Sequence, residues 1–215
     1  MSETPYNPLE KLRLGESVAR ALLSRDSAPL PPPKAFGGAG IYAIYYFGSL
    51  PLYAELTKSR PSSAKSRPIY VGKAVPPGSR KGGYGLGLRA GQVLYDRLRQ
   101  HAASIRQASS LVLDDFACRY LVTDDIWIPL AEALLIERFK PVWNVLIDGF
   151  GIHDPGKGRK DQQRSRWDML HPGRRFAEKR PPNAASVREI SALVRRFLVG
   201  EDVPTIPTAQ AVEED

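Results

Sequence analysis

The sequence predicts an α+β fold, in which a small β-sheet is flanked by helices, on two observations. Apolar aromatic runs at residues 41–47 and 68–73 have the β-branched and aromatic content of buried strands. After Gly91 the apolar residues change to the helical period, so residues 93–105 are predicted to form a helix with one apolar face. Both element types therefore belong to the same stretch of chain.

A third strand and a second helix complete this predicted core. Residues 111–122 alternate imperfectly between apolar and polar side chains, which favours a strand. Pro129 suits the first turn of a helix that continues to Phe139, and Pro141 ends that helix. The predicted order is therefore strand, strand, helix, strand, helix.

The segments around this core differ from it in composition. At the N-terminus, apolar residues at near-helical spacing are interrupted at Gly15, which predicts one or two short amphipathic helices before a stiff proline run. Towards the C-terminus, a short helix is expected within residues 161–170 and an amphipathic helix over residues 186–199. The predicted parts are an arm over residues 1–36, a core over residues 37–147 with insertions at residues 48–67 and 75–91, a basic extension over residues 148–199, and a disordered tail over residues 200–215.

The composition limits the class of protein. The 215 residues include 31 Lys and Arg against 23 Asp and Glu, a formal charge of +8, which favours polyanionic partners and nucleic acid above all. No run approaches the roughly 20 apolar residues of a membrane-spanning helix, and the N-terminus lacks a signal pattern. Cys118 is the only cysteine, which excludes an intrachain disulfide, and the 3 histidines are too scattered for a zinc site. A cytoplasmic protein with no membrane partner is expected.

Glu132 places a carboxylate on an apolar helix face. Leu135, Ile136 and Phe139 follow it on that face, where a charged group is costly to bury. One interpretation is an acid in the first helical turn, favoured by the helix dipole and in contact with water. The other is a metal ligand, because Mg²⁺ in phosphoryl chemistry commonly binds one carboxylate, with water and substrate oxygens as its remaining ligands. The residues alone leave both interpretations open.

Arg97 and His101 are four residues apart and therefore share one side of the predicted helix. A cation and an imidazole on an exposed helix face are common, so the pair need not be functional. Beside a phosphate, however, the guanidinium can stabilise negative charge and the imidazole can accept or relay a proton near neutral pH. The pair is thus a candidate site that needs a second observation.

Tyr42 and Tyr70 lie in the two aromatic strands, where a tyrosine is more often a core residue than a catalytic group. A tyrosine serves as a general base only if nearby cations lower its pKa from an ordinary value of about 10. Lys73 and Arg97 are possible sources of that charge, and Lys73 follows Gly72 at a strand end where the backbone can approach a phosphate. The strands alone do not distinguish catalytic tyrosines from buried ones.

Taken in order, these residues resemble the GIY-YIG nucleases. The first motif is Gly40-Ile41-Tyr42, the second is Tyr70-Val71-Gly72-Lys73, and the helix that carries Glu132 closes with Pro-x-x-Asn. The second motif has Val where the family name has Ile, which is a conservative change. The catalytic residues implied by the resemblance are Tyr42, Tyr70, Arg97, His101, Glu132 and Asn144.

The resemblance implies a small three-stranded antiparallel sheet flanked by helices, with N-terminal, loop and C-terminal elaborations. It also implies Mg²⁺ as the cofactor, with Mn²⁺ as a substitute. By this alignment Glu132, and not Glu137, is the metal ligand.

The roles implied for the remaining residues are those of a phosphodiester hydrolase. Tyr42 is the expected general base for the attacking water, His101 takes the proton from Tyr42, and Tyr70 orders the nucleophile. The two tyrosines can exchange roles, so the general base stays open between them and His101. Arg97 is expected to stabilise transition-state charge. Asn144 is expected to fix Glu132 or a phosphate.

Longer strings resemble the type II restriction endonuclease branch, and in particular members that cut the palindrome CCGCGG. They occupy residues 30–33, 38–46, 69–76 and 167–174, within a resemblance that covers about residues 29–180. A palindromic site implies a homodimer on double-stranded DNA, with one active site for each strand. A restriction enzyme also implies a matching DNA methyltransferase in a bacterial host.

Base recognition requires Arg or Lys forks, whereas phosphate contacts carry no base information. Each basic residue is otherwise part of a solvated surface. Two alternatives stay open beside a restriction enzyme: a nuclease that acts on branched or damaged DNA, and a catalytically silent nucleic-acid-binding module. The candidate DNA-binding residues are Lys73, Arg80, Lys81, Arg89, Arg159, Lys160, Arg164, Arg166, Arg174 and Arg175.

Overall fold

A computed structural model describes residues 10–58, 66–76, 90–152 and 162–205. Within them, an antiparallel sheet lies between helices, which confirms the predicted α+β class. The strands are β1 (Ala28–Pro29), β2 (Gly40–Tyr46), β3 (Tyr70–Ala74) and β4 (Phe116–Val122), in the order β1-β4-β2-β3. The helices are α1 (Lys11–Leu23), α2 (Val93–Gln107), α3 (Ile128–Phe139), α4 (Val142–Val145), α5 (Arg166–Leu170), α6 (Arg175–Glu178) and α7 (Val187–Leu198).

The sheet has four strands instead of the expected three. The additional strand, β1, pairs only Ala28 with Cys118 and Pro29 with Ala117 of β4. A proline can occupy such an edge position because its missing N–H faces away from the ladder. The extended proline run thus adds a short edge to the sheet.

Strand β2 is the centre of the sheet, and every one of its residues is buried. Successive side chains of a strand point to opposite faces, so the aromatic run supplies two cores at once. Tyr42 and Ile44 join the core cluster that includes Leu98 of α2. Ile41 and Ala43 join the cluster on the other face. This arrangement explains why the run is apolar throughout and does not alternate with polar residues.

Helices α1 and α3 cover the second face together. Helix α1 is continuous through Gly15, so the first of the two predicted possibilities, a single amphipathic helix, is the one that the structure has. A Cβ at Gly15 would overlap the side chain of Leu134, with Leu130 also adjacent. The glycine therefore permits close packing of α1 on α3 and does not end a helix.

One predicted boundary shifts in the structure. The third strand begins at Phe116, not at residue 111, because Leu113–Asp115 form a 3₁₀ turn. Within the tail predicted over residues 200–215, Val203 is buried and packs against the core, and residues 206–215 lie outside the described part of the chain.

The C-terminal amphipathic helix is confirmed as α7. Ser186 caps it and exchanges hydrogen bonds with Glu189 in a capping box. Trp167 and Val194, from the predicted basic extension, belong to the same core cluster as Tyr42.

In the described part of the chain, no helix is long and apolar enough to span a membrane.

Candidate active site

Tyr42 and His101 are joined by a short hydrogen bond under the sheet. Tyr42 comes from β2 and His101 from α2, and both are 0% exposed. The Tyr42 hydroxyl lies 2.6 Å from Nε2 of His101. Buried Leu98 and Ala102 anchor α2 on the same core cluster, which turns the ring of His101 towards the sheet. The pair provides a direct path for a proton between strand and helix.

Tyr70 brings the second tyrosine motif to the same place. In the β2–β3 register, Tyr42 is opposite Gly72 and Ile44 is opposite Tyr70, so the two tyrosines share a sheet face. The Tyr70 ring centroid lies 6.2 Å from that of Tyr42 and 5.2 Å from that of His101. A Cβ at Gly72 would overlap the Tyr42 hydroxyl. Glycine at this position therefore makes room for the phenol.

Arg97 reaches the same region from one turn earlier in α2. A Cβ built on Gly151 would lie 3.0 Å from the Tyr70 hydroxyl and 3.6 Å from an Nη of Arg97, so both side chains end beside this backbone position. Arg97 also lines a cavity of about 340 Å³ together with Lys73 and Asp96. The tyrosine cluster thus adjoins, through Arg97, an open recess that is lined by two basic side chains and one acidic side chain.

Phe150 completes the surroundings of His101 and was absent from the sequence prediction. Its ring stacks on the imidazole with centroids 4.6 Å apart and an interplanar angle of 17°. It also meets the Tyr70 ring edge to face, at 5.0 Å. Because Tyr42 holds the imidazole at Nε2 and Phe150 covers one ring face, the orientation of His101 is fixed from two directions.

Glu132 contacts the ammonium group of Lys73. Its Oε2 lies 2.7 Å from Nζ, and the side chains of Glu132 and Lys73 are 13% and 20% exposed. Since Lys73 also lines the cavity with Arg97, the ion pair connects α3 to the recess. The carboxylate of Glu132 is therefore mostly buried, but next to solvent.

The donor set around Glu132 fits a hard cation of the magnesium type. A carboxylate oxygen already binds a positive charge there, and Mg²⁺ prefers oxygen ligands with several waters retained. Among the described residues, no group of three or more His, Cys, Asp or Glu side chains is placed to hold a metal. An ion at this site would thus depend on Glu132, water and substrate oxygens.

Asn144 stabilises β3. Its Oδ1 accepts a hydrogen bond of 2.8 Å from the Val71 N–H, and its Nδ2 donates one of 2.8 Å to the Val71 carbonyl. The amide thus replaces a neighbouring strand at the outer edge of β3. The amide keeps a second N–H and a second lone pair besides these two bonds, so the expectation that Asn144 fixes Glu132 or a phosphate stays a prediction.

Arg174, predicted to contact DNA, is a buried structural residue, and that prediction is wrong. It is 1% exposed, and its Nε and one Nη donate to the two carboxylate oxygens of Asp168 at 2.7 and 2.8 Å. The remaining donors bind main-chain carbonyls, including those of Gly149 at 2.6 Å and Ile152 at 2.9 Å. Its guanidinium therefore binds groups inside the protein and does not reach the surface.

Other candidate DNA-binding residues have mixed placements. The Arg164 guanidinium donates to main-chain carbonyls of residues 177, 178 and 180, and that of Arg166 to the Leu146 carbonyl. Arg175 is exposed. Arg80, Lys81, Arg89, Arg159 and Lys160 lie outside the described residues.

A second tyrosine–histidine pair lies in the core away from the recess. Tyr53 and His171 are both 0% exposed, and the Tyr53 hydroxyl is 2.6 Å from Nε2 of His171. The Trp143 indole donates to that hydroxyl at 2.9 Å, so the hydroxyl is hydrogen-bonded on two sides. Burial, together with the nearby charge of Arg174, lowers the pKa of His171 from 6.5 to about 3. This imidazole is neutral and structural.

A β-sheet that presents two tyrosines to a helical Arg and His, with a glutamate on the helix that covers the other face of the sheet, defines the class of GIY-YIG domains. A family model described as the Eco29kI GIY-YIG domain matches residues 34–198, well over half of the chain, and the protein belongs to that family. This is a family of restriction-enzyme GIY-YIG domains, which supports a restriction-type nuclease acting on DNA. No curated protein matches the chain.

Proposed function

We propose that this protein is a type II restriction endonuclease, which hydrolyses phosphodiester bonds of double-stranded DNA at a short GC-rich palindrome, CCGCGG. The observation that carries the proposal is the bond of 2.6 Å between the Tyr42 hydroxyl and Nε2 of His101, beside Tyr70 and Arg97. A structural role alone does not require an arginine that lines an open recess next to a buried phenol and imidazole. Phosphodiester hydrolysis requires both proton transfer and charge stabilisation.

Tyr42 is the proposed general base. It removes a proton from the attacking water and passes a proton to Nε2 of His101 along the existing hydrogen bond. Tyr70, which is 8% exposed where Tyr42 is fully buried, orders that water from the more accessible side. If Tyr70 is instead the base, the two tyrosines exchange these roles and His101 acts through Tyr42.

Arg97 is the proposed stabiliser of charge on the phosphate. Its guanidinium ends in the recess beside the Tyr70 hydroxyl, where a planar cation suits phosphate oxygens. Lys73 contributes a second positive charge from the end of β3. The two cations thus approach a phosphate from α2 and from the sheet.

Glu132 is the proposed ligand of Mg²⁺, for which Mn²⁺ would substitute. The bound ion would supply charge neutralisation at the phosphate and the leaving oxygen. The carboxylate is already held next to the recess by Lys73. An ion that took the place of the Lys73 ammonium at this carboxylate would leave Lys73 available for a phosphate oxygen, in keeping with its predicted role in DNA binding.

The remaining parts of the proposal follow from a palindromic site. A homodimer places one active site on each strand, and a matching methyltransferase protects the DNA of a bacterial host, in whose cytoplasm the enzyme acts. Exposed Arg175 and the basic residues at positions 80, 81, 89, 159 and 160 are the proposed groups for base and backbone contacts.

Digestion of a sequenced plasmid, with and without Mg²⁺, tests the proposal. Discrete fragments that appear only with the ion, and whose ends map to CCGCGG, are expected. The mass of the complex with a duplex that carries this site should equal the mass of two protein chains plus the duplex. Cleavage confined to branched or damaged substrates would identify a structure-specific nuclease instead, and DNA binding without cleavage of any substrate would identify a silent binding module.

A further inference from the structure

Residues 167–174 form a segment whose sequence the proposed reaction does not explain. The segment includes both partners of a buried ion pair, Asp168 at 3% exposure and Arg174 at 1%. Removing two charges from water is costly, and such a pair is weak evidence for added stability. A pair of this kind is best explained by what it positions.

The pair positions the loop at residues 149–152. The Arg174 guanidinium donates to the Gly149 carbonyl at 2.6 Å and to the Ile152 carbonyl at 2.9 Å, which bracket the loop at both ends. Asp168 holds the guanidinium in place through both carboxylate oxygens and is itself bonded to Ser165 at 2.7 Å. The planar fork of arginine makes this multiple hold possible.

The same loop touches three residues of the candidate site. Phe150 lies on the face of the His101 ring at 4.6 Å. Gly151 lies against the ends of Tyr70 and Arg97. A displacement of the loop should therefore move the His101 imidazole, and also the ends of Tyr70 and Arg97 beside the recess.

We propose that Arg174 and Asp168 are positioning residues, which hold the loop at residues 149–152 so that Phe150 keeps the His101 ring aligned with Tyr42. The inference rests on the proposed nuclease function only for its effect on cleavage. The alignment itself is a property of the folded chain. Arg174 acts through the loop and does not touch DNA, because its side chain is enclosed.

Phe150→Leu tests the last link of this arrangement. The variant keeps an apolar side chain but removes the ring from His101, and small misalignments in active sites lower rates by about 10- to 100-fold. The single-turnover cleavage rate should fall by that amount, while the Kd for the cognate duplex, measured without Mg²⁺, stays within about twofold. Phe116→Leu is the matched control. Phe116 is in the same core cluster and packs on Tyr46 and Trp143, so its replacement should lower Tm without slowing cleavage.

Arg174→Lys tests the first link. Lysine keeps a positive charge for Asp168 but cannot hold both ends of the loop, so the cleavage rate should fall as it does in Phe150→Leu. In the double variant the two losses should not multiply, because both changes act through the same loop. Multiplied losses, or a Kd that rises with a shallower salt dependence in Arg174→Lys, as the loss of a phosphate contact would give, would overturn the proposal.

The ring signals of His101 provide a readout that needs no cleavage. The sequence has 3 histidines, at positions 101, 153 and 171, so the ¹⁵N–¹H ring spectrum is readily assigned by substitution. Both Phe150→Leu and Arg174→Lys should shift the His101 signals, whereas Phe116→Leu should not. If the wild type cleaves no DNA, the proposed function fails and these shifts alone decide the positioning role. If Arg174→Lys fails to fold, Asp168→Asn takes its place, since it keeps the size of the side chain but weakens the hold on Arg174, and unmoved His101 signals in that variant would overturn the proposal.

Discussion

The Tyr42 hydroxyl and Nε2 of His101 are 2.6 Å apart, the same distance that separates the Tyr53 hydroxyl from Nε2 of His171. Both pairs are fully buried. The first pair adjoins Tyr70 and the recess that Arg97 lines, whereas the second is bonded to Trp143. The molecule thus contains a proposed catalytic pair together with an internal comparison for it.

Tyr42→Phe should abolish proton transfer while it retains the fold. Loss of a general base lowers rates by about 10²–10⁴-fold, and the cleavage rate of Tyr42→Phe should fall within that range. Tyr53→Phe removes an equivalent bond and should lower the free energy of unfolding by about 1–3 kcal/mol, since His171 and Trp143 lose their partner. Single-turnover cleavage and thermal unfolding of both variants check this. Equal cleavage by Tyr42→Phe and wild type would contradict the assignment, and Tyr70→Phe then tests the exchange of roles.

Glu132→Gln should remove metal binding without disturbing α3. The neutral amide keeps the size of the side chain but loses the charge that attracts a divalent ion. Cleavage in Mg²⁺ should fall by at least about 10²-fold, and the ion-induced rise in Tm should disappear, since ligand binding to the folded state is what raises it. Glu137→Gln, on an exposed position of the same helix, is the matched control and should behave as wild type. A Glu132→Gln variant with wild-type cleavage would remove this residue from the site.

The fold could be predicted from sequence where a single pattern decides it. The aromatic run of β2 and the helical period of α2 are local signals, and both elements were located correctly. Strand β1 has no such signal, because two residues show no period and become a strand only by pairing with β4. The reason for glycine at position 15 is likewise not visible in the local sequence, since it comes from the packing of Leu134.

The proximity of the motif residues could be predicted from the sequence, but the residues that hold them in place could not. The motif order identified residues that the structure gathers around Tyr42, Tyr70 and His101. The sequence does not show whether a charged residue is exposed or buried. Arg174 was therefore predicted to contact DNA, whereas the structure pairs it with Asp168 in the interior. No sequence pattern distinguishes Phe150 from other apolar residues, because its role comes from its contact with the His101 ring.

Gly72→Ala should slow cleavage through its effect on Tyr42. A methyl group at this position would overlap the Tyr42 hydroxyl, so the phenol has to move away from His101. A displacement of a catalytic group by about 1 Å lowers the reaction rate by up to about 10²-fold. Gly37→Ala is a suitable control, because an added Cβ there meets only the Gly91 carbonyl at 3.4 Å. Single-turnover cleavage should separate the two variants, and equal rates would show that the position of the phenol is not limiting.

Acid should weaken the fold through His171. The pKa of this imidazole is about 3 in the folded chain, below its ordinary value of 6.5, so between these values the unfolded chain binds more protons. The stability that the neutral imidazole contributes is therefore complete above pH 6.5 and is lost as the pH falls towards 3, with a slope of up to about 1.4 kcal/mol per pH unit. His171→Gln has no such titration. Chemical denaturation of both proteins between pH 7 and 5 should show a wild-type advantage that shrinks by about 2 kcal/mol, and a difference that does not change with pH would rule out the buried neutral state.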